Sequence, residues 1–430
     1  MNKKKIKNKS TLKILILSFI ILSLGFVFLS LDKIRLEAKK KISGEKKLII
    51  KKFFFSEDYL NEIDFLRQSN YNQKILPFTE FVKVSLTKKN IKNLKKSGNT
   101  HYNILNNTIS NLKKFYITTF NSQIILIDSK GTIIKLDHEK NFFETKIKSN
   151  SSELQILDLK DAHVIENDLY ISYSFKKSEN CNILKIAKSN LLQKNLKFQI
   201  FFKTDECIQN LIAGRMATFS LNGKKDLLIT TGDDGRGKKY AQLDSSIYGK
   251  IILINSNDGN YEILSKGHRN PQGLLVIEDI ILSTEHGPKG GDEINLIKKN
   301  GNYGWPVSSY GEDYKFKTGT IKNYLYAKNH DKEGFIEPIF SFVPSIGISQ
   351  IVNVPNNLSK LWIDNFFVSS LNGRSLYRVK FDKNYLKVIY MEKVIIGERI
   401  RDIVFFPENK VFLLALEDSG SIGFLKVDEK

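Results

Sequence analysis

Between Gly267 and Gly311 the chain reads GHRNPQGLLVIEDIILSTEHGPKGGDEINLIKKNGNYGWPVSSYG, and no other stretch gathers so many groups able to do chemistry. Arg269 offers a permanent cation with a fork of donors, and Asn270 and Gln272 offer amides. His286 offers a ring that exchanges protons near neutral pH. Gly287 and Pro288 can present bare backbone carbonyls, because Gly has no side chain and Pro no N–H, and hard cations accept such oxygens as ligands. Asp292 and Glu293 add carboxylates, and GNYGWP adds Tyr303 and Trp305 between turn residues. RNPQ or EHGP alone is an ordinary turn. A second set stands apart in GERIRDIVFFP, where Arg399 and Arg401 are alternate residues of a strand-like run. Alternate residues share a strand face, so the two guanidiniums can clamp one anion.

The elements that must carry these groups are strands. From about Leu76 the chain is a series of short apolar, β-branched and aromatic runs, among them KKFYITTF, QIILID, NDLYISYSF, DLLITTGD and GKIILIN. Asn, Asp, Gly and Lys-Ser clusters break them, which predicts an all-β fold. No helical stretch long enough for a βαβ crossover lies between them. So many short strands suit a propeller better than one sandwich, and polar loops on such a scaffold are where sites are presented.

In this order and spacing the motifs RNPQGL, EHGP, GDEIN and GNYGWP resemble the quinoprotein glucose/sorbosone dehydrogenase family. The resemblance extends more weakly from about Leu157 to the C-terminus. It implies a six-bladed β-propeller that oxidises a sugar with pyrroloquinoline quinone (PQQ) and Ca²⁺. By the same resemblance Gly287 and Pro288 hold the catalytic calcium, and Arg269 and Asn270 face the cofactor. Arg399 and Arg401 pair with its carboxylates, and Glu293 and Tyr303 contribute to a second, structural calcium. The segment NLIAGRMATFSLNGKKDLLITTGDDG resembles a further family element, H-x-x-G-R-L with a following G-D, and Gly214-Arg215-Met216 and Gly232-Asp233 fall in register. Here the chain departs from the pattern. The catalytic histidine's position is Leu211, which cannot accept a proton, while Asp233, which orients that histidine in the family, is present. The lysine expected near a cofactor carboxylate is Asn372. His286 is the nearest alternative proton acceptor. Two readings result: a PQQ- and Ca²⁺-dependent oxidoreductase acting on an aldose or similar alcohol, or a propeller that binds saccharide or a protein partner without oxidation.

The formal net charge of +21 does not indicate nucleic acid. Residues 1–52 hold 15 Lys and Arg against 3 Asp and Glu, and the excess beyond them is scattered Lys with no basic stripe interleaved with aromatics. Six lysines within residues 1–13 precede an uncharged apolar run, Ile14 to Leu31. Eighteen helical residues at ~1.5 Å each reach ~27 Å, enough to cross a bilayer core. The positive-inside rule keeps the lysines in the cytoplasm and exports the chain beyond Leu31. The organisation expected is a basic tail (1–13), a transmembrane signal-anchor (14–31), a polar linker (32–75) and a periplasmic propeller (76–430), on the inner membrane with a single pass. Lack of a clear small-x-small site favours an anchor over a cleaved signal peptide. Cys181 and Cys207 are either buried apolar residues or, in an oxidising compartment, a disulfide. Neither can be a zinc site, since no Cys-x-x-Cys is present. His101, His138 and His330 lie in polar, turn-like segments and are expected at the surface; His163 precedes a strand and is not expected to be catalytic.

Overall fold

The structure is a computed structural model, and it describes residues 83–90, 114–137, 143–210, 212–221, 223–233, 240–312, 326–359 and 362–428. The chain divides into two compact units, 1–56 and 57–430, and all described residues belong to the second. The basic tail, the apolar run, the whole linker, His101, His138 and Leu211 lie outside the described residues. Among the described residues no helix is long and apolar enough to cross a membrane.

Six antiparallel sheets form the blades of a β-propeller. The first strand among the described residues, β1 (Lys83–Asn90), does not start the first blade. Blade 1 is β2 (Phe115–Phe120), β3 (Gln123–Asp128), β4 (Ile133–Asp137) and β5 (Phe143–Lys146); blade 2 is β6 (Asp158–Ile165), β7 (Asp168–Ser178), β8 (Cys181–Asn190) and β9 (Gln199–Lys203). Blade 3 is β10 (Ala213–Leu221), β11 (Lys224–Thr231), β12 (Lys250–Ile254) and β13 (Tyr261–Lys266). Blade 4 is β14 (Pro271–Ile277), β15 (Ile280–Glu285), β16 (Asp292–Leu296) and, after an excursion, β18 (Phe340–Phe342). That excursion begins with a two-residue strand, β17 (Gly301–Asn302), which adds to blade 3 by pairing parallel with β13. Blade 5 is β19 (Ile348–Asn353), β20 (Asn365–Ser370), β21 (Ser375–Phe381) and β22 (Val388–Ile395); blade 6 is β23 (Ile400–Phe406), β24 (Val411–Leu416) and β25 (Ser421–Asp428). Strand β1 completes blade 6, paired with β25 from Lys83↔Asp428 to Asn90↔Ser421. The N-terminal strand therefore closes the ring and removes an open sheet edge.

Local sequence explains the strands. Middle strands read as continuous apolar runs because both faces are covered: VFLLAL of β24 is buried throughout. Asn121 and Ser122, both at positive φ, make the two-residue turn from β2 to β3. Packing energy resides between blades. Six apolar clusters fill the six seams, for example Ile117, Leu126 and Ile134 of blade 1 against Phe406, Leu413 and Ile422 of blade 6. Each strand must present its side chains to two neighbouring blades, so the fold is stable only when the ring is complete.

The inner strands β2, β6, β10, β14, β19 and β23 line the axis, each touching the next. Arg215 of β10 fills that axis. Its Nη1 donates to Asp161 Oδ1 and Asp402 Oδ1, both at 2.9 Å, and its Nε and Nη2 donate to the Gln272 and Arg401 carbonyls at 2.7 Å. The guanidinium also lies 4.8 Å from the Tyr116 ring. One buried side chain thus ties blades 1, 2, 3, 4 and 6. On the side of the C-terminal ends of the inner strands lies a cavity of about 690 Å³. A disulfide joins Cys181, at the start of β8, to Cys207 in the β9–β10 loop, 26 residues on. Closing a loop of that length lowers denatured-state entropy by about 3.5 kcal/mol equivalent. It pins the segment Gln209–Asn210 beside Asn182, whose amide donates to the Gln209 carbonyl at 2.5 Å.

Candidate active site

The motif residues converge on the opposite face, at the N-terminal ends of the inner strands. Arg269 and Asn270 immediately precede β14, His286 and Gly287 follow β15, and Arg399 and Arg401 flank the start of β23. Glu285 organises the first two groups. Its carboxylate accepts from the Arg269 and Asn270 backbone N–H groups and from His268 Nδ1 at 3.0 Å, while His268 Nε2 meets Ser265 Oγ at 2.9 Å. This Ser–His–Glu chain has the connectivity of a hydrolase triad, but all three side chains are buried and it serves to fix the loop. The GNYGWP segment seals it from below: Tyr303 stacks on His268 at 4.7 Å, and the Tyr303 and Trp305 N–H groups bond to the Lys266 and Gly267 carbonyls. Gly267, at φ +81°, is required there, since a Cβ would strike the Asn302 side chain and the backbone of Tyr303 and Gly304.

Arg269 Nη1 lies 3.0 Å from the His286 carbonyl and 2.8 Å from the Gly287 carbonyl, and its guanidinium is 5.3 Å from the Trp305 ring. Two carbonyls therefore converge on one cation. The two carbonyls that meet Arg269 are those of His286 and Gly287, and the Pro288 ring packs against Gly311. The Arg269 Nε and His286 Nε2 are buried without a hydrogen-bond partner. Burial, reinforced by Arg269 and Arg401, lowers the His286 pKa, against the pull of Asp292, so the ring is neutral. The ring also meets the Ile348 backbone, and Nε2 itself has no hydrogen-bond partner.

Arg399 and Arg401 do clamp one anion, and that anion is Glu417. Arg399 Nε and Arg401 Nε reach its two oxygens at 3.0 and 2.6 Å. Burial would raise the Glu417 pKa, but the two guanidiniums outweigh it and hold the carboxyl below the usual range. Arg401 Nη1 also reaches Gln272 Oε1 at 3.4 Å. Next around the ring, at the starts of blades 1 and 2, stand Lys114, Asp158 and Lys160, joined at 2.8–2.9 Å, and Lys114 feels the charges of Arg401 and Glu417.

Other expected site residues sit differently. Asp233 is buried beside the RNPQ loop: its N–H bonds to the Arg269 carbonyl at 2.7 Å and its Oδ2 accepts from the Ala241 N–H at 2.9 Å. It also faces Lys250, whose ammonium donates to the Tyr240, Ala241 and Tyr248 carbonyls and whose pKa burial lowers to about 8. Glu293 is buried, and burial together with neighbouring Glu285 raises its pKa well above the ordinary value. A small cavity touches Glu285, Glu293 and Tyr303. The Tyr303 hydroxyl, however, bonds to the Leu296 carbonyl and the Lys298 N–H, so only its backbone oxygen could serve a cation there. Asn372 is exposed. His330 is not a surface residue: it is 1 % exposed, stacked near Tyr310, and its Nε2 lies 4.0 Å from Glu293. The turn-like sequence around it concealed a loop folded back over blade 4. His163 bonds to Thr218 on the opposite side of Arg215, away from the cleft.

These residues test whether the implied groups fit. Two convergent carbonyls with a cation already upon them suit a hard metal ion. Two arginines and two lysines, each pair holding a carboxylate of the chain itself, suit a ligand with several carboxylates. Among the described residues no group of three or more His, Cys, Asp and Glu is arranged as a metal site. The fit is good at the cleft.

Fold and site define a class: a six-bladed propeller with an anion-binding, carbonyl-edged cleft at one end of its axis. The family model for glucose/sorbosone dehydrogenase matches residues 156–424, and the chain belongs to that family. It is 28 % identical over 239 residues to the aldose sugar dehydrogenase YliI of Escherichia coli, covering 51 % of this chain and 61 % of that protein. It is 36 % identical over 169 residues to quinoprotein glucose dehydrogenase B of Acinetobacter calcoaceticus, covering 36 % of this chain and 32 % of that one. The chain spans about half the length of the relatives it matches. The PQQ-bound aldose sugar dehydrogenase of Streptomyces coelicolor superposes with a TM-score of 0.57 at 17 % identity, over 80 % of this chain and 99 % of that one, a likeness of fold.

Proposed function

We propose that the protein is a membrane-anchored, periplasmic sugar dehydrogenase that uses PQQ and Ca²⁺ to oxidise an aldose or similar alcohol. The observation that carries this reading is the meeting, in one cleft of a family member, of a neutral His286 with Nε2 unpartnered, the Arg269–carbonyl cluster and the paired arginines. The names of YliI and of the Streptomyces structure support a sugar substrate and PQQ. The lysine-flanked apolar run at 14–31 supports the anchor and the exported propeller.

When bound, PQQ supplies the acceptor for the two electrons that leave the sugar's C–H bond. Arg399 and Arg401 would hold its carboxylates, displacing Glu417, and Arg269 and Asn270 would face its ring. The His286 and Gly287 carbonyls would hold Ca²⁺ once Arg269 turns toward the ligand. His286 Nε2 takes the proton of the reacting hydroxyl, the task that Leu211 cannot perform. Burial keeps that nitrogen unprotonated at neutral pH, as a base must be. Arg269 stabilises negative charge developing on an adjacent oxygen. Leu211 and Asn372 favour a second reading, a propeller that binds saccharide in the same cleft without oxidising it. Calorimetry of the purified chain with PQQ, with and without Ca²⁺, followed by aldose oxidation with a soluble dye as acceptor, separates the two. Tight Ca²⁺-dependent PQQ binding with turnover supports the enzyme; no PQQ binding refutes it.

A further inference from the structure

Beside Arg269 the cleft carries a charged cluster that belongs to none of the motifs above. Lys114 immediately precedes β2, Asp158 opens β6, and Lys160 follows two residues on, at a bulge in that strand. Lys114 Nζ lies 2.8 Å from both Asp158 oxygens, and Lys160 Nζ lies 2.9 Å from Oδ2. Asp158 and Lys160 line a cavity of about 420 Å³ together with Arg269, Asn270, Asn182 and Asn210.

The charge in this cavity does not balance. Its lining carries two cations, Lys160 and Arg269, against the one carboxylate of Asp158, which is shared with Lys114 behind it; Lys114 also feels Glu417. Burial lowers the pKa of both lysines and Asp158 is the main group pulling them back, so a second anion at this point would relieve an electrostatic cost. The two ammoniums already converge on a carboxylate, which shows the geometry such a group would find. The rest of the polar lining is the Ser174 hydroxyl and side-chain amides, the chemistry that pairs with hydroxyl groups. A ligand with many hydroxyls and one carboxylate matches both features.

We infer that Lys114 and Lys160 form a carboxylate-recognising subsite and that the sugar taken by this cleft is a sugar acid of the hexuronate type, not a neutral aldose. This rests on the sugar-oxidising reading above. Asp158 is the subsite's internal competitor: it keeps the lysines in place and gives way, in part, to the ligand carboxylate. Lys114 opens blade 1, next to blade 6, and feels the charges of Arg401 and Glu417, so the same carboxylate chemistry could instead receive a cofactor carboxylate, and the test separates the sources.

The test is calorimetry on the full chain in detergent with D-glucuronate and D-glucose, each with and without saturating PQQ and Ca²⁺. Glucuronate should bind at least about tenfold more tightly than glucose, the equivalent of one modest charge contact. Lys160→Met should abolish that preference while leaving glucose affinity unchanged, and Lys160→Arg should retain it. Asp158→Asn removes the competitor and should strengthen glucuronate binding several-fold, a gain that misfolding cannot mimic. Equal affinities for the two sugars in the native protein overturn the inference. So does a pattern in which Lys160→Met weakens PQQ and leaves sugar preference intact, since that assigns the cluster to the cofactor. Failure to bind PQQ would refute the dehydrogenase reading alone, because the sugar comparison is also made without it.

Discussion

Replacing Arg215 with Met should destabilise the propeller strongly, and in a pH-dependent manner. Methionine fills similar volume but leaves Asp161 and Asp402, 5 % and 2 % exposed, facing each other without their cation. The Gln272 and Arg401 carbonyls lose their donors as well. Removing one partner of a buried ion pair costs about 3–5 kcal/mol. For a propeller of about 350 residues the unfolding entropy is near 0.7 kcal/mol/K, so the melting temperature should fall by about 4–7 °C. Burial already pushes Asp402 up to about 6, with Arg215 pulling it back, and it raises Asp161 too. Both carboxyls therefore hold protons more tightly folded than unfolded. Their contribution to stability is greatest in acid and is lost as pH rises through the folded value. Without Arg215 that value climbs further, so the deficit should be largest at pH 8 and shrink toward pH 5. Scanning calorimetry of both proteins at the two pH values measures this. Asp402→Asn in the Arg215→Met background should recover part of the loss at pH 8. A deficit under 1 kcal/mol, or one equal at both pH values, would refute the assignment of Arg215 as the electrostatic tie of the axis.

His286→Ala should lower PQQ-dependent turnover by about 10²–10⁴-fold with little change in PQQ affinity, and added imidazole should restore part of it; unchanged turnover removes the histidine from the reaction. With its pKa lowered, the acid limb of the pH–rate profile should fall below the ~6.5 of an ordinary histidine. Glu293→Gln should raise the melting temperature in EGTA, because it removes a carboxyl whose ionisation burial and Glu285 oppose in the folded state, and should erase any rise produced by Ca²⁺. A Ca²⁺-induced rise that survives in the variant excludes Glu293 as a ligand. A phosphatase fused after Lys430 should be active if the lysine-flanked run exports the propeller; activity of a cytoplasm-only reporter there would reverse the topology.

Much of the molecule is legible in one dimension because its strands are local objects. A run such as QIILID or VFLLAL needs only its own side chains to declare itself, and the turn residues between runs set the spacing. Motifs such as RNPQ and EHGP are equally local, since backbone geometry at Gly and Pro follows from residue type. The Arg399–Arg401 pair was legible as a pair, although it is a bulge at the start of β23, not regular strand alternation, that sits where the two converge. The group that fills their clamp was not. Glu417 arrives from the next hairpin, and nothing in its neighbourhood marks it as a partner. Arg215 reaches Asp161 across 54 residues and Asp402 across 187, contacts that exist only once the ring has closed. Lys114 and Asp158, 44 residues apart, meet because blades 1 and 2 are adjacent about an axis. His330 reads as surface from its polar neighbours and is buried because its loop folds over blade 4. Sequence determined the strands, the turns and the chemical groups available. Closure of the propeller decided which charges face each other, because each blade supplies only one wall of the cleft, and electrostatic energy depends on distances between walls.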